Sequence, residues 1–261
     1  MKRTLLALMV LLASYASYAS YAQLEIKDFI KSVNWHDTET ALITKFFENI
    51  EPTEKYVWED EEAESNFRFK KLNVCGCPIS KSYIRVKQDS RLIFRINLIV
   101  LDDEADIAKS RDLKELLTET LGKPYVSGEE KDIWLFDDCK VEATFLDLSN
   151  VLTPEVEKYT YAVSIEPLHT YYVDWTKAIV ESNNAHSPIV QIECFKIDNE
   201  DNVYIKEVGK EVIVKEKVKL LPTPKGDVIT FDGGMFCHRA KDDDIVYIKY
   251  GQAVTYPIVK K

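Results

Sequence analysis

The run Leu92-Ile93-Phe94-Arg95-Ile96-Asn97-Leu98-Ile99-Val100-Leu101 decides how the first half of the chain is read. Its alternate positions Leu92, Phe94, Ile96, Leu98 and Val100 make one face of a strand half-buried against a core. A helix signal follows an acidic turn. Leu113, Leu116, Leu117 and Leu121 recur at three- and four-residue spacing, which places them on one stripe. Asp106 or Ser110 is the expected cap. Gly122 and Pro124 stop the helix, Gly by supplying a left-handed end and Pro by barring continuation. Two more strands are expected at 133–137 and 140–146. Strand, covering helix and strands together make an α+β unit.

Toward the N-terminus, strands are expected at 67–74 and 83–87. Before them, Ile26, Phe29, Ile30 and Val33 form a short helical stripe. Leu42, Ile43, Phe46, Phe47 and Ile50 form a longer one, capped by Asp37 or Thr38 and ended before Pro52. The acidic run 59–64 reads as a solvated loop. Toward the C-terminus, 159–166 continues the sheet beyond a loop marked by Pro154. The connections are short enough for antiparallel pairing.

Tyr171-Tyr172-Val173-Asp174-Trp175 then leads into a short helix with Trp175, Ala178 and Ile179 on one side. Asn183-Asn184-Ala185-His186-Ser187-Pro188 reads as a break. Beyond it strands are expected at 189–197, 203–208, 211–220, 228–231, 245–250 and 254–259, separated by Gly-, Pro- and Asn-containing turns. Short strands at that spacing point to a small all-β barrel or sandwich. The expected organisation is therefore a signal peptide at 1–22, an α+β domain with its junction helix at 23–182, a linker at 183–188 and an all-β domain at 189–261.

The leader has a physical signature. Lys2 and Arg3 precede a short apolar run from Leu5 to Ala13, and Ser20 and Ala22 are the small residues a signal peptidase needs. Cleavage after Ala22 would start the mature chain at Gln23 and place it in the periplasm or outside the cell. No later apolar run approaches the ~18 residues of a membrane helix. The formal net charge of −10 argues against nucleic-acid or anionic-membrane partners, which need clustered Lys and Arg.

An oxidising compartment makes the five cysteines disulfide candidates. Domain logic pairs Cys194 with Cys237, and Cys139 with Cys75 or Cys77. Cys75-Gly76-Cys77 lacks the βαβ surroundings of a redox motif, and no His lies near it to complete a metal site. Asp102, Glu104 and Asp106, and again Asp198, Glu200 and Asn202, have the opening spacing of an EF-hand loop. Both lack its glycine and closing glutamate. No nucleophile elbow, zinc helix or phosphate-binding glycine loop is present. Cys237 and His238 are strand neighbours and point to opposite faces, so one cannot activate the other. No catalytic residue, metal ligand or cofactor is assigned.

What the sequence offers instead is a crowd of aromatics at the domain junction. Tyr171, Tyr172 and Trp175 are the candidate ligand-binding residues, since amphipathic rings serve glycan and protein recognition. The expected function is a non-catalytic binding or interaction protein of the cell envelope, its partner a protein or glycan. The alternative is a hydrolase with its site in the cleft between the domains.

Overall fold

The computed structural model describes residues 24–57, 63–70, 72–79, 81–101, 107–129, 131–147, 159–181, 188–249 and 251–260. The leader, the Gln23 start, the acidic positions 102–106, Pro154 and linker residues 183–187 lie outside the described residues. Among the described residues the chain is mostly β, with three helices and several antiparallel sheets, none closed into a barrel.

In chain order the first half begins with β1 (Leu24–Glu25), α1 (Ile26–Ser32), α2 (Glu39–Lys45), β2 (Ile50–Val57), β3 (Ala63–Phe69), β4 (Leu72–Val74) and β5 (Cys77–Pro78). It continues with β6 (Lys81–Lys87), β7 (Ile93–Leu101), α3 (Ile107–Leu121), β8 (Val126–Ser127), β9 (Lys131–Leu135), β10 (Cys139–Asp147) and β11 (Tyr159–Pro167). Eight of these strands form one antiparallel sheet in the order β2-β3-β6-β7-β11-β10-β9-β8. One face is apolar. Ile84, Ile96, Leu98, Val141, Val163 and Ile165 pack there with Phe29 of α1, Leu42 of α2, and Leu113 and Leu117 of α3. Such a face must be covered, and the three helices cover it.

The alternation expected along β7 holds from Ile96 to Val100 and slips at Phe94. The register steps from Arg85 opposite Arg95 to Val86 opposite Ile93, leaving Phe94 as an extra, bulged residue. Ile93 therefore enters the core and Leu92 is exposed. Phe94 takes the other face, its ring under the guanidinium groups of Arg85 and Arg95.

The stripe expected to run to Ile50 on one helix is divided. Helix α2 ends at Lys45, Phe47 is exposed, and Ile50 reaches the core from β2. Pro52 is tolerated there because β2 is an edge strand.

The second half contains β12 (His169–Tyr172), one 3-10 turn (Trp175–Lys177), β13 (Ile179–Val180), β14 (Ile192–Ile197), β15 (Val203–Glu207) and β16 (Val212–Lys215). After these come β17 (Lys219–Leu221), β18 (Val228–Phe231), β19 (Gly234–Arg239), β20 (Asp244–Lys249) and β21 (Gln252–Pro257). Two antiparallel sheets result, β12-β14-β15-β16 and β13-β21-β20-β19-β18-β17. They share a second core in which Phe195 and Ile205 of one meet Phe236, Tyr247 and Tyr256 of the other. The expected 211–220 strand is split between the two sheets. Strand β19 was hidden behind the turn signal of Gly233-Gly234. The expected junction helix is reduced to the 3-10 turn, preceded by strand β12. A smaller cluster of Ile133, Leu135, Leu168 and Tyr204 fastens β9 to β15, and so one half to the other.

Candidate functional site

The polar face of the large sheet carries a row in which Arg85 pairs across to Arg95 and Lys140 to Glu166. Arg95 closes the row by donating to Glu166 Oε2 at 3.0 Å from Nε and 2.7 Å from Nη2. Lys140 ion-pairs with Glu166 and, at 2.7 Å, with Asp198 of the second half. Glu166, Lys140 and Asp198 are all buried. Charges taken out of water survive only when paired and hydrogen-bonded. Asp198 meets that demand fully. It accepts from Tyr204 Oη at 2.9 Å and from the backbone N–H groups of Glu200 at 3.0 Å and Asn202 at 2.9 Å. Burial works against its charge, but Lys140 and Asn202 outweigh burial and hold the carboxyl below its usual range. The Asp198-Glu200-Asn202 spacing thus braces the β14–β15 turn.

That turn is also fixed to the bulge of β7, where the Asn199 side-chain amide donates to the carbonyl of Phe94. The braced turn and the end of β6 border a cleft. Three cavities of about 620, 370 and 210 Å³ open around Lys87 and Asn199, which line all of them. The 370 Å³ cavity is the open end of the space between the two sheets of the second half. Tyr171, Phe236 and His238 form its inner wall, with His169 at the rim. Tyr171 lies 4.5 Å from His238 and 6.4 Å from Phe236, ring centroid to centroid. At the rim His169 stacks on His36 of the first half at 4.8 Å. Burial, with His36 and Lys87 nearby, pushes the imidazole of His169 down from its ordinary pKa, and burial does the same to His238. Both are therefore neutral near pH 7, able to donate at one ring nitrogen and accept at the other.

Of the three aromatics expected to bind, the structure brings only Tyr171 to this cleft. Tyr171 pairs with Phe195 and Tyr172 with Cys194, so the two tyrosines leave β12 on opposite faces. Tyr172 faces a separate cavity and donates to Asp137 Oδ1 at 2.6 Å. Trp175 packs against the second core.

All five cysteines stand as free thiols in the structure. Phe195 and Phe236 point into the space between the two sheets, so their neighbours Cys194 and Cys237 stand on the two outer faces, aimed apart. Cys139 is buried in the first core and its thiol is pushed up by that burial. Cys75 lies 3.4 Å from Thr120 Oγ1, and Cys77 is buried. His238 faces Tyr171 while Cys237 faces away. Among the described residues no group of three or more His, Cys, Asp or Glu could hold a metal ion, and no helix is long and apolar enough to cross a membrane.

Residue-by-residue reading missed His36, Lys87, His169, Asn199 and His238. The chain has only four histidines, and three converge here, the fourth lying outside the described residues. That scarcity was the one available signal. No known protein family matches the chain, and no curated protein or solved structure matches it.

Proposed function

We propose that this is an exported, non-catalytic protein of the cell envelope that captures a small ligand where its two halves meet. The observation that carries the reading is the convergence on one cleft of Lys87, His169, Tyr171, Asn199 and His238, drawn from four separate segments. A cavity of about 370 Å³ that sets Tyr171 and Phe236 beside Lys87, two imidazoles, Asn199 and three aspartates suits a small polar molecule or the end of a glycan or peptide. Export rests on the basic start, short apolar run and small residues before Gln23, and places the protein in the periplasm or outside the cell. In this reading 23–182 and 189–261 are two domains, the second a small β-sandwich, and the buried Lys140–Asp198 pair fastens them.

A direct test is calorimetric titration of the mature protein with envelope oligosaccharides and short peptides. Tyr171→Ala and His238→Ala should weaken the binding at least tenfold, while Tyr172→Ala should leave it unchanged. Turnover of any panel member, abolished by His169→Asn, would establish the hydrolase alternative instead, since a neutral imidazole in a cleft is also what a general base requires.

A further inference from the structure

The smallest of the three cavities, about 210 Å³, lies between the halves. Trp35, Leu92, Ile93 and Pro167 give it apolar walls. Every polar side chain on its lining is an actual or potential cation or an amide: His36, Lys87, His169 and Asn199. No carboxylate lines it, on a chain whose formal net charge is −10. Lys87 makes no ion pair or side-chain hydrogen bond among the described residues. A cation left without a partner beside two stacked imidazoles is poised for an anion from outside. The apolar walls decide which kind, because they would desolvate the body of a hydrocarbon acid favourably and leave the hydroxyls of a sugar without partners.

Resting on the cleft reading above, we propose that this pocket binds a small carboxylate with an apolar body, its carboxylate held by Lys87 and the His36–His169 pair. The other charges facing the pair are few. His169 faces His36, Lys87 and His238; His36 also faces Asp138, and His238 faces Asp243 and Asp244. Asp138 does not line the pocket; in the adjoining cavity Asp198 is held by Lys140 at 2.7 Å and Asp201 by Lys217 at 2.8 Å, and Asp227 also lines that wall. His169 therefore carries a penalty on protonation, set by its burial and by the neighbouring His36 and Lys87, that an entering anion removes. Binding takes up a proton on His169, so affinity rises as pH falls through the histidine range.

The test uses the full mature chain and two probes of the same shape, isovalerate and its uncharged amide, isovaleramide. Calorimetric titration at pH 5.5 should show isovalerate binding, isovaleramide at least tenfold weaker, and isovalerate weakening at least tenfold by pH 8. Lys87→Met should lose most of the isovalerate affinity with the thermal midpoint unchanged. Equal binding of acid and amide, affinity independent of pH, or no isovalerate binding at pH 5.5 would each overturn the proposal. If Lys87→Met does not fold, histidine NMR titration of the unaltered protein decides. Isovalerate should raise the His169 midpoint, and an unmoved His169 midpoint would overturn the proposal. Retained binding of oligosaccharides or peptides at Tyr171 alongside failed isovalerate binding would refute the carboxylate pocket and spare the cleft reading.

Discussion

Lys140 is buried between two carboxylates, Glu166 on the neighbouring strand and Asp198 in the other half. Replacing it by Met keeps much of the volume but leaves buried Asp198 with no cation and Glu166 with Arg95 alone, so Lys140→Met should destabilise by about 3–5 kcal/mol, measured by urea unfolding. A loss under 1 kcal/mol would mean that water reaches Asp198. Tyr172 gives a milder case. Its hydroxyl donates to an exposed Asp137, so Tyr172→Phe should cost about 1 kcal/mol and leave ligand binding unchanged. At this scale the sequence was least legible. Lys140, His36 and His169 carry no local mark, because their meaning comes from partners many residues away. Tyr171 and Tyr172 could be recognised as one exposed-or-junction pair, but a strand sends adjacent side chains to opposite faces, and only the first reaches the cleft.

Among the elements, β18 and β19 show how tightly one wall of the cleft is built. Gly226, just before β18, has φ +138°, and a Cβ there would lie 2.3 Å from the backbone oxygen of His238. Gly226→Ala must therefore move backbone as well as strain it, at a cost of about 1–3 kcal/mol. The checks are a thermal melt and the His238 NMR signal, which should shift; an unshifted signal would show that the β18 end can yield alone. Long periodic elements were legible in the sequence: helix α3, strands β10 and β11, and the positions of most turns in the second half. Errors fell where local geometry overrode the period. The bulge at Phe94 turned Leu92 and Phe94 out of the core at the start of β7, the 211–220 run divided between two sheets, and Gly234, read as turn, opens a strand. A Cβ on Gly234 would lie 2.1 Å from the carbonyl oxygen of Ile248, so this glycine also marks a close strand approach.

Across the whole molecule, pH should report on the junction. Burial holds His169 and His238 below their ordinary pKa, so the unfolded chain binds their protons at higher pH than the folded one does. Between those lowered values and about 6.5, stability rises with pH, and it is lost as pH falls through that interval. The thermal midpoint should drop from pH 7.5 to pH 5.5, and His169→Asn should flatten the drop. A midpoint that rises on acidification would contradict the burial of these rings. Asp198 adds the same sign lower down: its depressed pKa supports the fold above the usual carboxylate range, and that support drains as pH falls further.

The strap of Arg95, Glu166, Lys140 and Asp198 along one border of the cleft has a kinetic consequence. Groups this well satisfied resist being pulled apart, since opening would expose each charge without its partner. In the proposed reading, a ligand arriving at the cleft therefore meets a cavity that this strap already holds in shape. In stopped-flow mixing the observed rate should climb in a straight line with ligand concentration, without the plateau of a slow rearrangement, and differences in affinity among ligands should reside in how long each one stays.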